Sequence, residues 1–209
     1  MKWVQVPLGP IQTNAYVVSN DQNECIIFDP GAEGDKLLTY LHDNDLKPQA
    51  ILLTHAHFDH IGAVDVVREA YNIPVYVHKN EENWLVNPAL NRSMHFVMSE
   101  DIILKSAEYI IEKEGPLTVG SFSCYVYETP GHTPGSISYY FSEAGLVCSG
   151  DALFQMSIGR TDLPEGSMIQ LLSSIEEKLF TLPDETKVLC GHGPITTIGT
   201  EKENNPFLS

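Results

Sequence analysis

Three histidines and one aspartate lie within six residues in the first third of the chain. They are His55, His57, Asp59 and His60. Imidazole is the commonest side-chain ligand for metal ions, and a carboxylate accepts a divalent cation beside it. A single His-x-His pair arises readily by chance, whereas four ligand-type side chains at this spacing favour a metal site.

The segment before these residues must position the first two histidines. Residues 50–53 form an apolar run that predicts a short buried strand. If this strand continues past Leu53, His55 and His57 point to the same side, because side chains alternate along a strand. We therefore expect these two histidines to hold one ion together.

The segment after these residues has a helical pattern over 61–69. Asp59 and His60 would then lie at the N-terminus of a helix and face the same cavity. This adjacent pair is expected to hold a second ion.

Three more ligand-type residues each follow a predicted strand and have small neighbours. They are His132, Asp151 and His192. His132 lies in a turn framed by glycine and proline, which holds a side chain rigidly at a strand end. His132 or Asp151, taken alone, is better explained as a turn residue. The cluster at 55–60 is what makes them candidate ligands.

The rest of the pattern is typical of an α/β protein. The predicted strands are 2–6, 14–19, 24–28, 50–53, 73–78, 117–119, 121–128, 136–141, 145–149 and 188–190, the last being expected to end the sheet. The predicted helices are 34–45, 61–69, 166–180 and a short one in 201–207. Residues 79–115 lack a clear period, and we interpret them as a segment lying over the site.

Two further residues each have two interpretations. Asp29 follows a predicted strand at a Pro-Gly break, where it either caps the turn or accepts a hydrogen bond from a metal-bound histidine. Arg160 either binds a substrate carboxylate or forms an ion pair with Asp162 or another acid. Both alternatives stay open at the level of sequence.

The charge balance argues against a nucleic-acid partner. Lys and Arg number 12 against 28 Asp and Glu, a formal charge of -16 that repels a phosphate backbone. Hydrophobic residues make up 43% of the chain, as expected for a globular protein. A chain of 209 residues fits one large domain or two small ones, and we expect one. His42, His78 and His95 lie outside any ligand-like cluster and are assigned surface or structural roles.

Location and redox state are also predicted from the pattern. No apolar run approaches the roughly 18 residues that span a bilayer, and the first residues lack a signal-peptide layout, so we expect a cytosolic protein without a membrane partner. The cysteines stand singly among apolar neighbours and are expected to be buried free thiols. They are Cys25, Cys124, Cys148 and Cys190.

Together these motifs resemble the metallo-β-lactamase superfamily, and within it the glyoxalase II-like (hydroxyacylglutathione hydrolase-like) branch. The matching residues are the His-x-His-x-Asp-His run at 55–60, His132 in its Gly-His-Thr-Pro-Gly turn, Gly150-Asp151 and Gly191-His192-Gly193. The resemblance implies one domain over 1–209 with a four-layer αβ/βα sandwich of two mixed β-sheets and two metal ions at one sheet edge.

The resemblance also implies how the ligands are shared between two divalent ions. The first ion would take His55, His57 and His132, and the second would take Asp59, His60 and His192. Asp151 would bridge them. Zinc is the expected metal, with iron or manganese as alternatives, because histidine and aspartate ligands suit all three.

The implied activity is hydrolysis of a thioester such as a 2-hydroxyacyl-thiol ester. Two ions about 3.5–4 Å apart lower the pKa of a shared water toward ~7, so that metal-bound hydroxide attacks the acyl carbon. A thiolate, with a parent pKa near ~8.5, leaves without a dedicated proton donor, whereas a lactam nitrogen needs one. No separate general acid is evident in these motifs, which favours a thioester as the substrate. We interpret Asp59 as a metal ligand, or as a general base if the enzyme holds one metal ion.

Two departures from the resemblance narrow this expectation. Few residues follow Gly193 in this sequence, so we expect the protein to lack the helical C-terminal region that supplies much of the glutathione site in full-length glyoxalase II-like enzymes. Asp151 stands where some true β-lactamases of the superfamily carry a metal-binding cysteine, and Cys190 is expected in the packed core. The thiol carrier and the oligomeric state cannot be inferred from sequence.

Three alternatives remain at this level. One is a mononuclear iron sulfur oxygenase resembling persulfide dioxygenase, which would use only the first ligand set. Another is a different ester or lactone hydrolase of the same fold. The third is a non-catalytic metal-stabilised module, which the ligand set disfavours because a structural site closes with four ligands around one ion.

Overall fold

The computed structural model describes residues 1–96 and 101–208, and the chain divides into two compact units. The first unit comprises Met1–Glu112 and Val119–Phe122, and the second comprises Lys113–Thr118 and Ser123–Ser209. The single domain over 1–209 stays a prediction.

The first unit contains a six-stranded mixed sheet. Its strands, in both chain and spatial order, are β1 (Lys2–Leu8), β2 (Thr13–Ser19), β3 (Glu24–Phe28), β4 (Lys47–Leu52), β5 (Val75–His78) and β6 (Tyr109–Ile111). Strands β1 to β3 pair antiparallel, and β3 to β6 pair parallel. Parallel neighbours need crossover connections, and the helices of this unit occupy two of them.

Helices α1 (Gly34–Asp43), α2 (Phe58–Ile61) and α3 (Val64–Tyr71) belong to the first unit. Residues at helical spacing, Leu37 and Leu41 in α1, are fully buried in the apolar core. The inner strands β2 and β3 are buried along nearly their whole length, as expected for strands covered on both faces. The core therefore lies around β3 and β4, next to the segment that carries the candidate ligands.

The second unit contains the other mixed sheet, in the spatial order β14-β13-β10-β9-β8-β7. Its strands are β7 (Gly115–Val119), β8 (Phe122–Glu128), β9 (Ile137–Phe141), β10 (Leu146–Gly150), β13 (Lys187–Cys190) and β14 (Thr196–Thr197). A separate hairpin is formed by β11 (Leu153–Phe154) and β12 (Ser157–Ile158). Strands β10 and β13 are parallel, and the other assigned pairs are antiparallel.

Helices α4 (Met168–Glu177) and α5 (Ile198–Asn204) complete the second unit. Each begins at a hydroxyl residue that accepts a backbone N–H three residues on, Ser167 from Gln170 and Thr197 from Thr200. Helix α4 buries Leu171 and Ile175 against an apolar cluster that also contains β10 and β13. The α/β class with two mixed sheets is thus confirmed.

Several predicted boundaries differ from the structure. Strand β4 begins at Lys47 and ends at Leu52, so Pro48 lies inside it, beside a register irregularity that accommodates its missing N–H. The helix expected over 61–69 is found as α3, Val64–Tyr71, and a separate short helix α2, Phe58–Ile61, precedes it. Gly62 lies between the two, and a Cβ there would be 2.4 Å from the carbonyl oxygen of Gly31. Strand 188–190 is not the last, because β14 follows it.

The segment 79–115 contains only short elements in its described parts, 79–96 and 101–115. Its described residues form two short 3₁₀ turns, Lys79–Glu81 and Ser93–His95, and the three-residue strand β6. Residues 97–100, which belong to the predicted segment over the site, lie outside the described residues.

Membrane and cysteine expectations can also be compared with the structure. Among the helices in the described ranges, none combines the length and the apolar composition that crossing a bilayer requires. All four cysteines are free thiols; Cys25, Cys148 and Cys190 are buried, whereas Cys124 is half-buried rather than buried as expected. Burial raises the pKa of the Cys25 thiol to about 12.

Candidate metal centre

The first unit brings four predicted ligands together around the carboxyl end of β4. We call them the first cluster: His55, His57, Asp59 and His60. The ring centroids of His55 and His57 are 4.9 Å apart, and those of His55 and His60 are 4.0 Å apart. The three histidines are buried, and the Asp59 side chain is 15% exposed.

The reason for this convergence differs partly from the expectation. Strand β4 ends at Leu52, so His55 and His57 do not continue it as predicted. They lie instead on the connection between β4 and α2. His57 is the last residue before α2, and its backbone is extended, with φ -66° and ψ 148°. Asp59 and His60 do lie in the first turn of α2, as expected.

A buried carboxylate holds this connection in place. Glu81 is fully buried, and it accepts a hydrogen bond of 2.5 Å from the backbone N–H of Ala56, between the two histidines. On the other side of His57, the N–H of Phe58 donates to the carbonyl oxygen of Asn91 at 2.8 Å. Sequence reasoning missed Glu81, because nothing in the irregular segment around it indicates a contact with residue 56.

Asp29 supports the first cluster from the end of β3. Its Oδ1 atom accepts the backbone N–H of Thr54 at 2.8 Å, and its Oδ2 atom accepts the Thr54 hydroxyl at 2.6 Å. The same Oδ2 atom lies 3.0 Å from Nδ1 of His60. These contacts support the second interpretation of Asp29, because it accepts a hydrogen bond from His60, a predicted ligand.

These contacts fix which ring nitrogen of two histidines has the lone pair. A carboxylate only accepts, so His60 donates from Nδ1 and presents Nε2 as the lone-pair atom. The Thr54 hydroxyl donates its one hydrogen to Asp29. It can therefore only accept a hydrogen bond from Nδ1 of His55, which lies 3.2 Å away. His55 therefore also presents Nε2, the tautomer that a metal ligand with a bonded Nδ1 needs.

Asp59 is oriented by contacts inside the first unit. The Thr13 hydroxyl at the start of β2 donates to Oδ2 of Asp59 at 2.8 Å. The same Oδ2 atom is 3.7 Å from Nε2 of His60, the lone-pair atom. Gly31 packs against the backbone of Asp59 so closely that a Cβ there would lie 1.7 Å from the Asp59 carbonyl oxygen.

The second unit brings the other three predicted ligands together. We call His132, Asp151 and His192 the second cluster. The Nε2 atoms of His132 and His192 each lie 3.5 Å from Oδ2 of Asp151. The side chains of His132 and Asp151 are 3% and 10% exposed, and that of His192 is 26% exposed.

Parallel pairing explains why Asp151 and His192 are neighbours. Strands β10 and β13 run in the same direction, so their carboxyl ends meet at one sheet edge. The N–H of Gly191 donates to the carbonyl oxygen of Gly150 at 2.8 Å and continues this pairing to the ligands. Gly159 packs against Asp151, where a Cβ would lie 1.8 Å from the Asp151 carbonyl oxygen.

His132 is oriented by a backbone carbonyl. Its Nδ1 atom lies 2.8 Å from the carbonyl oxygen of Arg160, which can only accept, so Nε2 of a neutral His132 has the lone pair. The Arg160 side chain forms two hydrogen bonds of 2.8 Å with Asp162. The ion-pair interpretation of Arg160 is therefore confirmed, and the residue meets the cluster through its backbone.

The donor chemistry of both clusters suits divalent metal ions. Each combines buried imidazole nitrogens with a carboxylate oxygen, the ligand types of zinc, iron and manganese sites. One ligand-type atom each from Asp29, His55 and His60 also lies within 4.8 Å of the others, but the Asp29 oxygens are occupied by Thr54 and His60. We therefore assign Asp29 to support.

The remaining titratable candidates have other roles. The Cys190 thiol is buried and donates to the carbonyl oxygens of His192 and Pro194 at 3.2 Å, as expected of a core residue. His42 and His95 are exposed, and Nδ1 of His78 accepts the N–H of Asn80 at 3.5 Å.

Comparison with known proteins places the chain in a family. The model of the metallo-β-lactamase superfamily matches residues 8–192. A probable metallo-hydrolase of Bacillus subtilis, YqgX, is 54% identical over 209 residues, covering 100% of this chain and 98% of the relative. Hydroxyacylglutathione hydrolase GloC of Haemophilus influenzae is 32% identical, covering 98% and 96%.

Solved structures show the same fold. The BLEG-1 B3 metallo-β-lactamase is 53% identical with a TM-score of 0.97, and 100% of each chain is covered. TTHA1623 in a di-iron-bound form is 40% identical with a TM-score of 0.83, covering 98% and 100%. ETHE1 from Myxococcus xanthus is 31% identical with a TM-score of 0.77, covering 99% and 84%.

These matches confirm the fold that the sequence motifs implied. The described residues supply the His and Asp clusters that such a fold uses for metal ions. The chain therefore belongs to the metallo-β-lactamase superfamily, and the class of activity that its relatives support is that of a metal-dependent hydrolase.

Proposed function

We propose that this protein is a dinuclear metal-dependent hydrolase that cleaves a thioester, in the manner of the glyoxalase II-like branch. The observation that carries the proposal is the orientation of three histidines, His55 and His60 in the first cluster and His132 in the second. Each of these three uses Nδ1 in a hydrogen bond, so Nε2 is the ring atom that would coordinate a metal ion.

The proposed ligand sets follow the superfamily pattern. His55, His57 and His132 would hold one ion, and Asp59, His60 and His192 would hold the other. Asp151 would contact both. Zinc is the proposed metal; the di-iron form of TTHA1623 supports iron as the alternative.

Two divalent ions supply a water of lowered pKa and polarise a substrate carbonyl. The residues of this chain set the geometry for that chemistry. Thr13 orients the Asp59 carboxylate through a hydrogen bond of 2.8 Å, and Asp29 fixes His60. The carbonyl of Arg160 fixes His132, so that these side chains need little reorganisation when a substrate binds.

A thioester is the substrate whose hydrolysis does not require a general acid from the protein. A thiolate leaves without protonation by a dedicated acid, and the histidines of both clusters are already assigned as metal ligands. The relative named hydroxyacylglutathione hydrolase, 32% identical over nearly the whole chain, supports the same class. The small acyl-thiol substrate and the cytosolic location stay predictions.

The test is a substrate panel on protein of measured metal content. The zinc-loaded and iron-loaded forms are assayed with acyl-thiol esters, including a 2-hydroxyacyl-glutathione, and with simple esters and lactones. We expect thioesters to be hydrolysed with the highest kcat/KM. Oxygen consumption with a persulfide, exceeding thioester hydrolysis on the same preparation, would support the iron oxygenase alternative instead.

A second candidate is β-lactam hydrolysis. It is favoured by the 53% identity to the structure described as a B3 metallo-β-lactamase. Asp151 still argues against the lactamases that place a metal-binding cysteine at that position. A chromogenic cephalosporin assayed beside the thioesters separates the two activities, because the ratio of their kcat/KM values ranks them directly.

A further inference from the structure

A cavity of about 140 Å³ opens beside the first cluster, and its lining residues all belong to the first unit. Its apolar wall includes Leu8, Ile11, Ala32, Phe58, Phe96 and Ile102. The rings of Phe58 and Phe96 are tilted against each other with centroids 4.8 Å apart. Among the lining side chains, Thr13 and Asp59 are the polar ones, and they hydrogen bond to each other.

The turn that forms one side of this cavity is held in place. The turn joins β1 to β2, and the N–H of Gly9 donates to a carboxylate oxygen of Glu33 at 2.7 Å. Both the backbone and the side-chain amide of Gln12 donate to the carbonyl oxygen of Gly9. Gly9 adopts φ +70°, and a Cβ there would lie 2.8 Å from Cβ of Ala32, so the turn packs tightly on the opposite wall. The cavity is therefore preformed.

The position of Asp59 links this cavity to the reaction. Asp59 is a proposed metal ligand and also forms part of the cavity wall. A substrate whose carbonyl lies at the ions would therefore have room for its acyl chain among these apolar side chains. Apolar surfaces of this kind gain free energy when they exclude water from an alkyl or aryl group.

We propose that this cavity binds the acyl group of the substrate and selects uncharged, apolar acyl groups of several carbons. The proposal rests on the thioester hydrolysis proposed above. A carboxylate at the end of the acyl chain would be disfavoured, because an unpaired charge in an apolar cavity is costly and the lining residues that the structure describes include no lysine or arginine.

The experiment uses metal-loaded protein and thioesters of N-acetylcysteamine that differ only in the acyl group. We expect kcat/KM to rise from acetyl through butyryl to hexanoyl, by up to about fourfold for each methylene that the cavity buries. The adipoyl thioester, with a terminal carboxylate, should fall well below hexanoyl. Equal rates for all four acyl groups, or a preference for adipoyl, would overturn the proposal.

Two variants change the cavity, and each has a matched control. Ile11→Ala removes an apolar wall residue that is 37% exposed, and its control is Ile169→Ala on α4, 84% exposed and outside the cavity. Ala32→Leu narrows the cavity, and its control is Ala144→Leu in a half-buried surface turn of the second unit. Both cavity variants should lower the hexanoyl-to-acetyl ratio of kcat/KM, and both controls should leave it unchanged.

A binding measurement separates this proposal from the proposed reaction. The hexyl thioether of N-acetylcysteamine cannot be hydrolysed, and its Kd is measured by calorimetry on wild type and on the Ile11→Ala variant. We expect Ile11→Ala to weaken binding by about threefold to tenfold. If no thioester is cleaved but this loss of affinity is seen, the reaction is wrong and the cavity assignment stands. If thioesters are cleaved and the affinity is unchanged, the cavity assignment is wrong.

Discussion

The Nδ1 atom of His60 lies 3.0 Å from Oδ2 of Asp29, and both side chains are almost completely buried. The same Asp29 oxygen accepts the Thr54 hydroxyl, which in turn accepts from His55. One carboxylate therefore sets the tautomers of two proposed ligands.

Replacing Asp29 by asparagine should weaken metal binding. Asparagine keeps the size of the side chain and tolerates the positive φ of 46° found here, but it loses the negative charge. Loss of such a supporting partner typically reduces metal affinity by about 10- to 100-fold. Competition with a chromogenic chelator measures the change.

The control for this variant is Asp35→Asn in the first turn of α1. Asp35 is exposed and belongs to neither cluster, so its variant should bind metal like the wild type. Wild-type metal affinity in Asp29→Asn would show that another contact orients His60.

An alanine at Gly31 should disturb Asp59 through the backbone. The added Cβ would lie 1.7 Å from the Asp59 carbonyl oxygen, so the turn that carries Asp59 must move. We expect a loss of stability of about 1–3 kcal/mol, typical of overpacking, together with reduced metal affinity. Thermal unfolding of the metal-free protein and chelator competition measure the two effects separately.

Gly145→Ala provides the comparison for this prediction. Gly145 has φ +60° with no atom within 4 Å of an added Cβ, so alanine there costs about 1–2 kcal/mol of backbone strain alone. Its metal affinity should equal that of the wild type. If Gly31→Ala also loses only stability, the close approach to Asp59 does not position the ligand.

The Arg160–Asp162 pair gives a prediction for pH. The hydrogen bonds from Arg160 lower the pKa of the exposed Asp162 carboxyl to about 2. A lowered carboxyl pKa stabilises the folded chain above the ordinary value near ~4, and this stabilisation is lost as the pH falls from about 4 to about 2. In Arg160→Ala, the titration midpoint of Asp162, followed by carboxyl carbon NMR, should rise toward ~4.

The same variant tests how Arg160 acts on the second cluster. His132 contacts the carbonyl oxygen of Arg160 and not its guanidinium, so Arg160→Ala should keep the metal content of the wild type. Loss of metal in this variant, or an unchanged midpoint for Asp162, would contradict this description of the pair.

The sequence predicted correctly those elements whose pattern lies within a few neighbouring residues. Strand β3 has the predicted bounds of 24–28, because an apolar run there is enclosed by turn residues. The candidate ligands were found because they directly follow such runs, and each unit brings its own members together. Strands β6 and β14 were missed because segments of three and two residues are defined by their neighbours and not by their own pattern.

The supporting contacts could not be predicted, because they join distant parts of the chain. Thr13 lies 46 residues before Asp59, and Glu81 lies 25 residues after Ala56. The contact of Arg160 with His132 uses a backbone carbonyl, which every residue possesses. Only Asp29 had a local signal, its place between a strand and a Pro-Gly break.

The metal content of the purified protein tests the central proposal most directly. Wild type reconstituted with zinc should contain about two ions per chain, whereas Asp59→Asn should lose most of the second ion and most of the turnover. Asp35→Asn should match the wild type. Wild-type metal content and turnover in Asp59→Asn, measured by elemental analysis and thioester hydrolysis on the same samples, would contradict the proposed two-ion centre.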